Sequence, residues 1–154
     1  MTETVRSPQY VIAGLGQTGL SCVRYLQQQS VAFKVWDTRA GFSVSEELAA
    51  QVNADITCGE LPQHYWQGVT HLVLSPGIAT DLPEVTRARQ AGVSVIDDIE
   101  LFAHAVNQPV IGITGSNGKT TVTLLTTHIL QQLGFNAIAA GNVGLPALDS
   151  LQHK

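Results

Sequence analysis

The residues best suited to catalysis lie in the second half of the chain, where a glycine-rich stretch is followed by Lys119 and Thr120. A strand, a glycine loop, Lys-Thr and then a helix are the parts of a phosphate-binding loop. In such a loop backbone N–H groups hold phosphates, the lysine reaches the terminal ones, and the threonine hydroxyl ligates Mg²⁺. The strict pattern has glycine where this chain has Ile113, so the loop is a variant. We predict an ATP and Mg²⁺ site, with Lys119 and Thr120 as catalytic groups and Thr120 as the metal ligand, formed by Gly115, Ser116, Asn117, Gly118, Lys119, Thr120 and Thr121.

A second glycine pattern, G-L-G-Q-T-G, occupies residues 14–19, between a predicted strand and a predicted helix. Its glycines allow a tight turn and let a diphosphate approach a helix N-terminus, where free N–H groups favour negative charge. Asp37 ends the next predicted strand, at the spacing of the ribose-binding acid in dinucleotide sites. Arg39 suits a phosphate or another anionic ligand better than a plain NAD ribose. From the residues alone, a structural turn and a solvated loop arginine remain alternatives.

Two further loops follow predicted strands and contain glycine with a polar side chain. Ser75-Pro76-Gly77-Ile78 offers the Ser75 hydroxyl and the Gly77 N–H to an anion, and residues 141–144 read G-N-V-G. Ligands of open α/β sheets bind beyond the carboxyl ends of the strands. On spacing alone, each of these loops is better explained as a turn.

Strands alternate with helices along the first two thirds of the chain, which predicts a Rossmann-like α/β fold, a mostly parallel sheet with helices on both faces. The predicted strands cover residues 10–15, 31–36, 71–74 and 93–96, with a weaker one near residue 56. The predicted helices cover residues 18–29, 45–52 and 83–90, and a fourth runs from Asp97 or Asp98 to about residue 106.

The pattern restarts near residue 107, where we predict a domain boundary between residues 1–107 and 108–154. The second part is predicted to contain strands at residues 110–114 and 135–139 and a helix at residues 120–133. Two strands in about 47 residues are too few to close an α/β core, so this is the start of a phosphate-loop ATPase-type domain. We expect its apolar side chains to lack neighbours, among them Val110, Ile111, Ile138 and Leu145.

Composition excludes several classes of protein. Hydrophobic residues make up 44% of the chain and charged residues 13%, which allows a folded core, and the net charge of −4 does not favour nucleic acid or an anionic membrane. Residues 1–8 are polar and contain no signal peptide, and no apolar run is long enough for a membrane helix. Cys22 and Cys58 fit no zinc or redox spacing, so both are predicted to be buried thiols. We expect a soluble cytoplasmic protein.

Six segments in this order resemble the Mur ligase family, in its D-glutamate-adding branch. They are residues 14–19, 37–39, 75–78, 98–102, 113–121 and 141–146. The resemblance covers the whole chain but only about the first third of a family member. It implies peptidoglycan precursor synthesis by a monomeric full-length enzyme. In that reaction ATP phosphorylates the carboxylate of UDP-N-acetylmuramoyl-L-alanine, and the amine of D-glutamate attacks the acyl phosphate to form an amide.

The resemblance also implies roles for individual residues at a UDP-substrate site. Leu15, Gly16, Gln17 and Thr18 would lie near the diphosphate, Asp37, Thr38 and Arg39 near the uridine, Gly77 beside them, and Asn142 near the sugar-phosphate portion. The family's remaining metal ligands and its glutamate-binding domain would lie past residue 154, so we expect these 154 residues to be inactive alone. Two alternatives stay open. One is a non-catalytic UDP-sugar-binding module, and the other is an NAD(P)-dependent oxidoreductase, which leaves Lys119 and Thr120 unexplained.

Overall fold

A computed structural model of the chain describes residues 9–153 and contains one five-stranded parallel sheet. The strands are β1 (Gln9–Ala13), β2 (Ala32–Asp37), β3 (Ile56–Cys58), β4 (His71–Leu74) and β5 (Ser94–Asp97). The helices are α1 (Gln17–Gln28), α2 (Glu46–Val52), α3 (Pro83–Gln90), α4 (Asp98–Ala105), α5 (Lys119–Gln132) and α6 (Ala147–Ser150), and a 3₁₀ turn covers Gln63–Trp66. The sheet order is β3-β2-β1-β4-β5, which confirms the predicted Rossmann-like α/β fold.

The register of the sheet aligns the ends of its three central strands. Ala13 at the end of β1 lies opposite Trp36 of β2 and Leu74 of β4. The next residue along each strand therefore reaches the same edge: Gly14, Asp37 and Ser75. Because the chain leaves β1 toward β2 and later returns to the other side of β1 as β4, this edge is a topological switch point, where such sheets bind ligands.

Side chains that alternate along the strands form an apolar cluster on each face of the sheet. Val11 and Leu72 point to one face, and Ile12 and Val73 to the other, and all four are fully buried. Burying a side chain of this size contributes about 1.5–3 kcal/mol relative to leaving it exposed. The core on both faces therefore supports a rigid strand edge beneath the loops that follow.

Local capping explains where several helices begin. The Ser45 hydroxyl accepts from the Leu48 N–H at 3.2 Å, and Pro83 opens α3, both as predicted. Of the two candidate caps for α4, the side chain of Asp97 accepts from the Glu100 N–H at 2.8 Å. Asp97 is thus both the last residue of β5 and the N-cap of α4.

The two cysteines differ in their surroundings. Cys22 lies on the buried face of α1, and burial raises the pKa of its thiol to about 12, so it stays protonated at neutral pH. Cys58 is only half-buried, which corrects the prediction that both thiols are buried, because it ends the edge strand β3. Both are free thiols.

The two strands predicted at residues 110–114 and 135–139 do not form, and these predictions were wrong. A strand requires a hydrogen-bonded neighbour, and within residues 9–153 neither segment has one; only an isolated bridge joins Ala140 to Leu145. Val110, Ile111 and Ile138 are exposed, as expected for apolar residues without partners, whereas Leu145 is half-buried. The intervening helix α5 does form, with Leu124 and Leu125 also exposed.

The last described helix, α6, packs against α1 and α4, next to the sheet. Leu148 is buried in the same cluster as Cys22 and Val23. No helix in the described part of the chain is long and apolar enough to cross a membrane.

Candidate functional site

One cleft at the carboxyl edge of the sheet brings together every residue predicted for the UDP-substrate site. Its volume is about 440 Å³. Loops that follow β1, β2 and β4 supply most of the lining, and the 141–144 loop supplies one residue from much later in the chain. The lining residues are Gly14, Leu15, Gly16, Gln17, Thr18, Asp37, Thr38, Arg39, Ser75, Pro76, Gly77, Ile78 and Asn142.

The glycine loop at the base of the cleft is held close to the start of α1. A Cβ atom on Gly19 would lie 1.8 Å from the Gly14 carbonyl oxygen, so only glycine fits there. Gly16 caps α1 without a side-chain hydrogen bond, and the first turn of the helix has no acidic residue. The N–H groups of that turn are thus left to face an anion in the cleft.

Asp37 ties this loop to the neighbouring one. Its Oδ2 accepts from the Leu15 N–H at 3.0 Å and from Arg39 Nη2 at 2.9 Å, and its Oδ1 accepts from the Arg39 N–H at 3.1 Å and from Arg39 Nε at 2.8 Å. A carboxylate offers about four acceptor positions, and all are engaged here. The Arg39 guanidinium, followed by the two backbone N–H groups, holds the pKa of this carboxyl below its usual range.

Arg39 remains partly available despite this pairing. Its side chain is 57% exposed, and its guanidinium lies 3.9 Å from the centroid of the Phe42 ring, a cation–π arrangement that the sequence analysis missed. An arginine side chain has five N–H donors, and Asp37 uses two of them. Arg39 is therefore not the solvated loop arginine that the sequence left open as an alternative, and three of its N–H donors remain for a ligand.

The Ser75 hydroxyl lies against the glycine loop. A Cβ on Gly14 would be 3.1 Å from Ser75 Oγ, and that oxygen is buried without a hydrogen-bond partner among the described residues. A buried hydroxyl without a partner costs free energy unless a ligand or water satisfies it. This hydroxyl is thus a polar group at the cleft with hydrogen-bonding capacity to spare.

The residues of the predicted phosphate loop lie at the start of α5, outside this cleft. Gly118 caps the helix with φ of +76°, a left-handed conformation that favours glycine, and Lys119 Nζ donates to the carbonyls of Gly115 and Ser116 at 2.6 and 3.3 Å. The loop from Gly115 to Thr121 is exposed, and none of its residues lines the cleft. Across residues 9–153, no group of three acidic, histidine or cysteine side chains could hold a metal ion.

Comparison with known proteins gives one family and a set of related enzymes. The family described as Mur ligase MurD-like, N-terminal domain matches residues 8–97. UDP-N-acetylmuramoylalanine–D-glutamate ligase of Legionella pneumophila (strain Paris) is 43% identical over 143 residues, covering 92% of this chain and 32% of the relative. The enzyme of the same name from Pasteurella multocida (strain Pm70) is 40% identical over 152 residues, 99% of this chain and 35% of that protein. The chain thus spans about a third of the length of these relatives.

Solved structures show the same fold. A murein peptide ligase from Psychrobacter arcticus 273-4 superposes with a TM-score of 0.55 at 20% identity, over 87% of this chain and 28% of that protein. A pseudomurein peptide ligase type C from Methanothermus fervidus gives 0.53 at 21% identity, over 82% and 26%. Family model and fold agree, and the chain belongs to the Mur ligase family, with its MurD-like N-terminal domain at residues 8–97.

Proposed function

We propose that the chain is the UDP-substrate-binding end of a ligase that joins D-glutamate to UDP-N-acetylmuramoyl-L-alanine during cytoplasmic peptidoglycan precursor synthesis. The observation that carries this proposal is the single cleft that collects three strand-end loops and Asn142. Relatives at 43% and 40% identity carry the name of that ligase. We assign substrate binding to residues 1–107 and ATP binding to residues 108–154, in a full-length enzyme that acts as a monomer.

Within the cleft, we assign the diphosphate to the start of α1. The chain has a net charge of −4, so an anion must be held by local donors rather than by the overall field. The N–H groups of Gly16, Gln17 and Thr18, the free hydroxyl of Ser75 and the N–H of Gly77 supply such donors at one place. Asn142, which also lines the cleft, would contact the sugar-phosphate portion.

The uridine would lie beside the loop that follows β2. Thr38 and Arg39 both line the cleft there, and Asp37 engages only two of the five side-chain N–H groups of Arg39. Asp37 would act mainly by holding Leu15 and Arg39 in place, because its acceptor positions are already engaged. The same engagement argues against an NAD(P)-dependent oxidoreductase, which needs a free acid for the ribose hydroxyls.

The chemistry requires activation because a carboxylate is a poor electrophile. Phosphoryl transfer from ATP to the substrate carboxylate makes an acyl phosphate, and attack by the D-glutamate amine releases phosphate and forms the amide. We assign the terminal phosphates of ATP to Lys119 and the backbone N–H groups of the loop, a cradle whose left-handed Gly118 and acid-free first turn fit an anion. Mg²⁺, held through Thr120, would neutralise charge on the transferring group.

These 154 residues would bind the UDP-substrate without turning it over. The phosphate loop is exposed and outside the cleft, while phosphoryl transfer requires complete metal coordination and exclusion of water. A UDP-sugar-binding module would behave in the same way, so the ligase assignment depends on the enzyme at its full length.

Calorimetric titration of the 154-residue chain with four compounds tests this assignment. We expect binding of UDP-N-acetylmuramoyl-L-alanine and UDP, weak or undetectable binding of ATP, and no binding of NADH. Binding of NADH but not of UDP would contradict the proposal. Phosphate release that depends on both D-glutamate and the UDP-substrate would contradict the expected inactivity of these residues alone.

A further inference from the structure

The loop that carries Asn142 is closed by its own backbone and leads directly into α6. The Gly141 N–H donates to the Leu145 carbonyl at 2.8 Å, and the Leu145 N–H donates to the Ala139 carbonyl at 3.3 Å. Helix α6 begins two residues after Leu145, at Ala147. Asn142 is exposed and its loop lies outside the sheet, so α6 is the element that anchors the loop on its C-terminal side.

Helix α6 packs against α1 and α4, and two contacts join it to α1. Leu148 is 2% exposed and packs in the core cluster with Cys22 and Val23. Asp149 forms a two-point ion pair with Arg24, in which Nε donates to Oδ1 at 3.0 Å and Nη2 donates to Oδ2 at 2.5 Å. A helix of four residues has no stability of its own, so its contacts with α1 and α4 determine its position and direction.

The same helix α1 also lines the cleft with its first residues, Gln17 and Thr18. Its first residue, Gln17, lines the cleft, and Arg24 follows seven residues later, two turns along the helix and roughly 10 Å away. Helix α1 therefore follows directly from the glycine loop at its first residue. Through the pair of Arg24 with Asp149 of α6, it is also linked to the Asn142 loop. An ion pair with two parallel hydrogen bonds fixes orientation as well as distance.

We propose that Arg24 and Asp149 are positioning residues that clamp the Asn142 loop at the mouth of the cleft. The two residues are 125 positions apart in the chain and neither lines the cleft, so the pair would act through α6 and the loop rather than on a ligand. The consequence for UDP-substrate affinity rests on the proposed function, but the effect on the loop does not.

Amide hydrogen exchange of the 154-residue chain tests the clamp without a ligand. Asp149→Asn removes the charge and one of the two carboxylate acceptors with little change in size, and we expect exchange at Gly141 and Leu145 to accelerate about fivefold. Arg24→Lys keeps the charge but cannot form the planar two-point pair, and should give a smaller increase. Val11 and Val73 in the sheet should be unaffected, which shows that the variants remain folded.

The ion pair between Arg87 and Glu84 provides a matched control. Its side chains are 35% and 15% exposed, against 35% and 18% for Arg24 and Asp149, and it lies within α3, away from the cleft loop. Glu84→Gln should leave exchange at Gly141 and Leu145 unchanged. Equal exchange at these two amides in Asp149→Asn, Arg24→Lys and the unaltered chain would overturn the clamp.

A binding cycle tests whether the clamp acts through Asn142. We expect Asp149→Asn to weaken UDP-N-acetylmuramoyl-L-alanine binding about fivefold in the unaltered background and to have no further effect in an Asn142→Ala background. If the affinity losses of Asp149→Asn and Asn142→Ala add in the double variant, the ion pair does not act through Asn142, and that part of the proposal is overturned. If the unaltered chain does not bind this compound, the proposed function fails, and the exchange measurement still decides the clamp.

Discussion

Arg39 donates from Nε to Asp37 Oδ1 at 2.8 Å and from Nη2 to Asp37 Oδ2 at 2.9 Å, while the same carboxylate accepts from the Leu15 N–H at 3.0 Å. One acid therefore joins the glycine loop after β1 to the loop after β2. Asp37 is almost completely buried, with its side chain 3% exposed. The cleft owes part of its shape to this pair, independently of any ligand.

Removing the Asp37 carboxylate should destabilise the fold. In Asp37→Ala the buried Leu15 N–H loses the carboxylate oxygen that accepts its hydrogen bond, and leaving such a donor unpaired costs about 1–3 kcal/mol. Asp37→Asn should cost less, because its amide oxygen can still accept from that N–H. Urea denaturation measures both, and Asp81→Ala, at an exposed acid, should stay within about 0.5 kcal/mol of the parent. Equal stability of Asp37→Ala and the parent would contradict this role.

The same pair makes stability depend on pH in a defined direction. The pKa of Asp37 is lowered in the folded chain, chiefly by Arg39, so in acid the unfolded chain takes up this proton before the folded chain does. The stabilisation is complete above the unfolded value of about 3.9 and is lost as pH falls toward the folded pKa. We expect the stability difference between the parent and Asp37→Asn to shrink below about pH 4. Urea midpoints between about pH 2 and 7 measure it, and a difference that grows in acid would be the opposite result.

The close approach at Gly19 gives a steric prediction. Gly19→Ala would place a methyl group 1.8 Å from the Gly14 carbonyl oxygen, so α1 must shift from the loop, with a loss of about 1–3 kcal/mol in unfolding free energy. Gly16→Ala is the matched control, since a Cβ there meets nothing within 4 Å and φ is −83°. Thermal or urea denaturation compares the two variants. Similar losses in both would show that the spacing at Gly19 is not the reason for its glycine.

Arg39 is predicted to affect affinity through its unused donors. Arg39→Ala should weaken UDP-substrate binding by about tenfold, because it removes those donors and releases the loop from Asp37. Arg39→Lys should recover only part of the loss, since an ammonium group cannot reproduce the planar fork. Calorimetric titration of the parent chain, Arg39→Ala and Arg39→Lys with the UDP-substrate measures the three affinities. Unchanged affinity in Arg39→Ala would leave the residue with a purely structural role.

Lys119 is predicted to have no part in UDP binding. Its Nζ contacts the carbonyls of Gly115 and Ser116, and no residue of its loop lines the cleft. Lys119→Ala should therefore change UDP or UDP-sugar affinity by less than about twofold. A tenfold loss, equivalent to about 1.4 kcal/mol, would place the phosphate loop in the UDP site and contradict the division between the two sites.

The sequence alone was sufficient for the features that depend on near neighbours in the chain. Strand-to-helix alternation, the Ser45 cap, Pro83 at a helix start and the glycine loop all follow from backbone preferences of a few residues, and they appear where expected. Parallel strand order then brings strand ends to one edge, which is why residues predicted separately share one cleft. The segments at 110–114 and 135–139 have strand-like composition, but a strand exists only beside a partner.

Only the tertiary structure determined which polar side chains form hydrogen bonds and ion pairs with each other. The sequence indicated an acid at residue 37 and a cation at residue 39 but not that all acceptor positions of the acid would be engaged within the protein. It contained no signal that Arg24 would pair with Asp149, 125 residues away. Charge pairing depends on distances of a few ångströms and on burial, which arise only after the chain has folded. Local pattern thus determined the elements and the glycine loops of this protein, whereas packing determined the partners of its charged side chains.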